Sequence, residues 1–112
     1  MSDSLLEQIK QEIDSNPIVL FTKGTKEMPM CGFSARTIAV FKELGRPFKT
    51  VDILPDPRLR QVLSSYTNWP TIPQVFVKGK FIGGCDIVTE MHQKGELQPL
   101  VEEAFKAEPL KR

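Results

Sequence analysis

The stretch IVLFTKGTKEMPMCGFSARTIAVFKELG, residues 18–45, decides the fold. Residues 18–21, IVLF, form a short continuous apolar run, the pattern of a strand buried on both faces. The next nine residues, 22–30, carry Gly24 and Pro29 and read as loop. From Gly32 the apolar residues change to helical spacing. Ala35, Ile38, Phe41 and Leu44 share one face, and Gly45 stands where such a helix closes. Strand, loop and helix in this order make the first half of a βαβ unit. PFKTVDI, residues 47–53, supplies the second strand through Phe48, Val51 and Ile53. A crossover of this kind is parallel and right-handed.

Upstream, Ser4 and Glu7 form an S-x-x-E capping box ahead of Leu5, Ile9 and Ile13, so a helix is expected over 4–15, stopped by Asn16 and Pro17. Downstream, Asp56 and Pro57 make an N-cap and first-turn pair that opens a helix through Leu59, Val62, Leu63 and Tyr66. NWPTIP, 68–73, breaks it. QVFV, 74–77, is a third strand, and KGK turns it into an antiparallel partner, FIGG, 81–84. Asp86 is expected to cap a short helix, IVTEMHQK, closed by Gly95. A last helix carries Leu97, Leu100, Val101 and Phe105, and the tail 107–112 is expected to fray. The order α-β-α-β-α-β-β-α-α predicts an α/β fold: a mixed four-stranded sheet with helices on both faces. No repeat, low-complexity run or linker interrupts it, so residues 1–112 are read as one domain.

Fifteen basic and fourteen acidic residues leave a formal net charge of +1, and no basic run is interleaved with aromatics. Nucleic acid is therefore not an expected partner. No apolar run approaches the roughly 20 residues needed to span a bilayer. The opening MSDSLLEQIKQEIDSNP is acidic and amphipathic, unlike a secretory or transit peptide, which points to the cytoplasm. In that reducing compartment two cysteines are expected as thiols rather than as a structural bridge.

Cys31 is the residue with the clearest chemistry. It stands at a helix start just beyond a strand's carboxyl end, where open α/β folds bind ligands. The helix N-terminus favours an anion, and a thiolate is one. Lys23 is a candidate cation beside it. Ser34 occupies the place where a C-x-x-C motif would put a second thiol. Without that resolving thiol, Cys31 can form a mixed disulfide that another thiol must release, or it can ligate a metal. In TIP, 71–73, Pro73 is a candidate cis-proline that would aim the Ile72 backbone at Cys31; a plain rigid lead-in to a strand fits the spacing equally. GGCD, 83–86, places two glycines before a helix start, an arrangement that lets a backbone approach a ligand and hold a carboxylate. Cys85 reads first as a packed cysteine near the site. Arg60 could reach an anionic ligand, although most arginines so placed are solvated. His92 has no assigned role, and Tyr66 and Trp69 read as packing residues.

Taken together, CGFS, WPTIPQ and GGCD, with Lys23 upstream, resemble the monothiol glutaredoxins of the CGFS type, in their bacterial single-domain short form. The resemblance spans essentially the whole chain without a departure at the motif positions. It implies the thioredoxin fold, a cis-Pro73, and a groove for glutathione along Cys31 and Phe33. In that groove Lys23 and Arg60 would hold the glycyl carboxylate, the Ile72 backbone the cysteinyl part, and Cys85 and Asp86 the γ-glutamyl end. It also implies a labile [2Fe–2S] cluster bridging a homodimer. Cys31 and one glutathione from each protomer would complete the four ligands such a cluster needs. Implied partners are a second copy, a BolA-like protein and apo iron–sulfur proteins. Two further readings stand beside cluster carriage: a glutathione-dependent thiol–disulfide oxidoreductase, and a regulatory module that docks a partner. The loop TKEMP, 25–29, suits a partner surface, and equally could displace glutathione and so weaken catalysis.

Overall fold

The computed structural model describes residues 2–106. Five helices and four strands follow one another as α1 (Ser2–Ser15), β1 (Ile18–Thr22), α2 (Gly32–Leu44), β2 (Lys49–Asp52), α3 (Pro57–Thr67), β3 (Gln74–Val77), β4 (Lys80–Gly83), α4 (Cys85–Gln93) and α5 (Leu97–Lys106). The sheet runs β2-β1-β3-β4. β1 and β2 are parallel, with Leu20 opposite Thr50. β3 is antiparallel to β1, with Leu20 opposite Val75, and β4 is antiparallel to β3. This is the mixed four-stranded sheet of the thioredoxin fold. The frayed tail expected at 107–112 lies outside the described residues.

Strand alternation builds two cores from one sheet. Ile18 and Leu20 of β1, with Val75 and Val77 of β3, face Ile38 and Phe41 of α2, Val88 of α4, and Leu97 and Val101 of α5. Val19 and Phe21, with Phe76, face Ile9 and Ile13 of α1 and Leu63 of α3. The period-two geometry of a strand forces this division, because successive side chains leave on opposite faces. Helices therefore cover both faces, and β1 is buried throughout. Phe21 and Phe76 meet edge to face across the sheet pair, with ring centroids 5.7 Å apart.

Local signals set most boundaries. Asp56 caps α3 by accepting from the Arg58 N–H at 3.0 Å, with Pro57 in the first turn. Gly45 closes α2 in the left-handed region. Lys78 and Gly79 both take positive φ, which gives the β3–β4 hairpin the twist of a two-residue turn. Two starts differ from expectation. α1 begins at Ser2, so Ser4 and Glu7 lie inside it rather than at its cap. α4 begins at Cys85 and is capped by Gly84, so Asp86 is a first-turn residue and not the cap. The sequence rewards an aspartate cap, but β4 leaves the sheet so close to the TIP segment that a side chain at the cap would crowd it. A Cβ on Gly84 would lie 3.2 Å from both the Pro73 carbonyl oxygen and Trp69 Nε1.

Candidate functional site

Cys31 is the N-cap of α2, with extended backbone (φ −153°, ψ 135°). Its carbonyl accepts from the Ala35 N–H at 2.9 Å. Its side chain makes no capping bond, and Cys31 is a free thiol. The thiol is held below its ordinary pKa, chiefly by the Ser34 backbone N–H. Burial opposes this, while the Phe33 N–H, the Lys23 charge and the Ser34 hydroxyl reinforce it. These are the donors that a helix N-terminus offers to an anion.

Lys23 follows β1 and is pinned at both ends of its peptide unit. Its N–H donates to Ser34 Oγ at 3.1 Å, and its carbonyl accepts from the Met30 N–H at 2.8 Å. The loop between them is closed on itself. Thr25 and Met28 exchange backbone bonds of 3.1 and 3.2 Å, and Gly24 bridges Pro29. Gly24 has φ +92°, and a Cβ there would meet the Met28 carbonyl oxygen and the Met30 nitrogen at 2.5 Å. Only glycine fits that approach. The Gly24 N–H donates to Asp52 Oδ1 at 2.9 Å, and Lys26 Nζ donates to the Phe48 carbonyl at 2.8 Å. The TKEMP loop is therefore a built knuckle, anchored to β2 and the residues before it.

A cavity of about 320 Å³ opens at the carboxyl end of β1. Lys23, Cys31 and Phe33 line it from the end of β1 and the start of α2, Arg60, Ile72 and Pro73 from α3 and the segment before β3, and Cys85 and Asp86 from the start of α4. Each residue expected in the glutathione groove thus lines one cavity. The Ile72–Pro73 bond is cis. Arg60 rests on the rim, where Nη2 donates to the Pro70 carbonyl at 3.2 Å. Cys85 is buried, with its Sγ 3.8 Å from Thr89 Oγ1. Asp86 stands in the first turn of α4.

Other residues of the quoted motifs also reach the site. Trp69, Thr71 and Gly84 also line the cavity. Trp69 does pack, 5.6 Å from the Phe81 ring, but it is wall as well as core. Met28, Met30 and Phe33, which flank Cys31 in the chain, are 68%, 64% and 56% exposed and leave an apolar rim there. Apolar residues at loop positions have no period to betray them. Tyr66, read as packing, is also an exposed residue. His92 ties α4 to α2 through a 2.7 Å contact with Glu43.

Among the described residues no three histidine, cysteine or acidic side chains gather into a metal site. Nor is any helix among them long and apolar enough to cross a membrane. A thiol with a lowered pKa, in a cavity with two cations and a helix N-terminus, suits an anionic ligand.

The glutaredoxin family profile matches residues 18–82, from β1 into β4. The chain belongs to the glutaredoxin family. It is 49% identical over 98 residues to a monothiol glutaredoxin of Synechocystis sp., covering 88% of this chain and 92% of that one. It is likewise 49% identical to glutaredoxin 4 of Escherichia coli (strain K12), over 88% of this chain and 85% of the relative. Its fold superposes on the buckwheat glutaredoxin–glutathione complex with a TM-score of 0.83, at 33% identity over 92% of each chain. With Ser34 in place of a second thiol, the chain is of the monothiol type.

Proposed function

We propose that this glutaredoxin binds glutathione in the Cys31 cavity and, as a pair of protomers, carries a labile [2Fe–2S] cluster for delivery to apo iron–sulfur proteins in the cytoplasm. The observation that carries the reading is the convergence on one cavity of a lowered-pKa thiol, Lys23, Arg60 and the N-terminus of α4. Glutathione has a carboxylate at each end and an extended middle. Lys23 and Arg60 match its glycyl carboxylate. The Ile72 backbone offers a strand-like edge to the cysteinyl part. The first turn of α4, with the Cys85 and Asp86 N–H groups, suits the γ-glutamyl carboxylate.

The cluster is cargo. Cys31 gives one thiolate per protomer, and no other described side chains join it in a ligand set. Glutathione supplies the second thiolate, and two protomers make four. The exposed rim of Met28, Met30 and Phe33 is the apolar surface that a second protomer or a BolA-like partner would cover.

The lowered thiol also favours glutathione-dependent disulfide exchange. Cys31 thiolate would attack the glutathione sulfur of a protein mixed disulfide, releasing the protein as a thiolate that takes a proton. A second glutathione thiolate would attack the Cys31 adduct, giving glutathione disulfide and restoring Cys31. Anaerobic reconstitution with iron, sulfide and glutathione separates the readings. A coloured dimer that forms only with glutathione supports carriage. A colourless monomer that turns over a glutathione mixed disulfide briskly moves the assignment to the oxidoreductase.

A further inference from the structure

Gln74 is fully buried at the start of β3, paired in register with Phe21, and it does not line the cavity. Its carboxamide turns back on the preceding loop. Nε2 donates to the Trp69 carbonyl at 3.0 Å and to the Thr71 carbonyl at 3.2 Å. Oε1 has no partner. The amide orientation follows from its neighbours, since the opposite flip would set an oxygen against two carbonyls. The loop it holds has few donors of its own. Pro70 and Pro73 have no N–H, and the segment lies outside the sheet ladder. Yet Trp69, Thr71, Ile72 and Pro73 form one wall of the cavity, and Arg60 rests on the Pro70 carbonyl.

We infer that Gln74 is a positioning residue, whose buried amide fixes the Trp69–Thr71 backbone and thereby sets the affinity of the cavity for glutathione. The inference rests on the glutathione reading of the site. Removing the two donors frees both carbonyls and lets the wall move by fractions of an ångström. A backbone-recognised peptide is sensitive to such movement, because its hydrogen bonds weaken steeply with geometry.

Trp69 is the chain's single tryptophan, so its fluorescence reports on this loop alone. The test is calorimetric titration of glutathione into the full chain, with Trp69 emission and thermal unfolding followed in parallel. Gln74→Met keeps the length and burial of the side chain and removes both donors. It is expected to raise the glutathione Kd about tenfold and to shift Trp69 emission to the red, with far-UV circular dichroism unchanged. Gln74→Asn, polar but one methylene short, is expected to fall between. A folded Met or Asn variant that binds within twofold of wild type overturns the inference. Wild-type protein that takes up no glutathione overturns the reading of the site instead. In wild-type protein the Gln74 amide protons are expected to exchange slowly with solvent. Fast exchange overturns the inference even if neither variant folds.

Discussion

The backbone N–H of Lys23 donates to the hydroxyl of Ser34 at 3.1 Å, joining the end of β1 to the first turn of α2. Ser34 is fully buried, and its backbone N–H is also the largest influence lowering the Cys31 pKa. The residue that replaces a resolving thiol is thus an internal strut between the cation and the nucleophile. Ser34→Ala is expected to leave the Lys23 N–H without its partner and to cost about 1–2 kcal/mol in urea unfolding. An unchanged unfolding midpoint would show that the bond carries no weight.

The same donors give the thiol a pH signature. The folded Cys31 pKa is depressed, so folding favours the thiolate. Its contribution to stability is present above the unfolded thiol's pKa and is lost as pH falls through the lower folded value. Alkylation by iodoacetamide should therefore reach its half-maximal rate at a lower pH in native protein than in urea-unfolded protein. Cys85 is buried and is expected to react far more slowly in the native state. Coincident native and unfolded profiles would contradict the assignment.

The sequence disclosed the elements wherever local chemistry decides them. The apolar run of β1, the Asp56–Pro57 start of α3 and the Lys78–Gly79 turn each carry a residue whose backbone preference permits few conformations. The start of α4 was misread because its cause is not local. Gly84 caps the helix where the Pro73 carbonyl and the Trp69 indole crowd it, and these lie more than ten residues earlier. The site was legible for residues with charge or a thiol, and for Phe33, Ile72 and Pro73 through the motifs that hold them. Its apolar rim was not, since Met28 and Met30 sit in a loop where exposure follows from the fold rather than from any period. Gln74 closes the WPTIPQ motif, but its role was not legible, because a buried amide at a strand start is defined only by the carbonyls it reaches.

Gly24 should tolerate no side chain. Its φ of +92° and the 2.5 Å approach of the Met28 oxygen and Met30 nitrogen leave no room for a Cβ. Gly24→Ala is expected to destabilise the protein by about 2 kcal/mol or more. It should also disturb the knuckle that leads to Cys31, raising the amide exchange rates of Met28 and Met30. A variant as stable as wild type, with protected amides there, would mean that the loop has another conformation within easy reach.

Lys23 and Arg60 both line the cavity, and each is expected to contribute to holding an anion there. Each alanine variant is expected to raise the glutathione Kd by about three- to tenfold, and more steeply at low ionic strength. Thermal unfolding should barely change for Arg60→Ala, whose side chain is exposed and bonded only to the Pro70 carbonyl. Binding that ignores both substitutions and salt would remove the electrostatic basis of the site.

The two cysteines line one cavity but should behave oppositely towards a cluster. Cys31 stands at the helix N-terminus with a lowered pKa, while Cys85 is buried against Thr89. A cluster ligand must reach out of its own protomer, and of the two thiols Cys31 is partly exposed while Cys85 is buried. Cys31→Ser is therefore expected to abolish the absorption of a reconstituted [2Fe–2S] dimer. Cys85→Ser should retain most of it, and removing glutathione from the wild-type mixture should mimic the Cys31 variant. The readouts are visible absorption and mass by size exclusion under anaerobic conditions. A bridging cluster that survives in Cys31→Ser would sink the ligand assignment. Complete loss in Cys85→Ser would move the second thiol from the wall of the site into its chemistry.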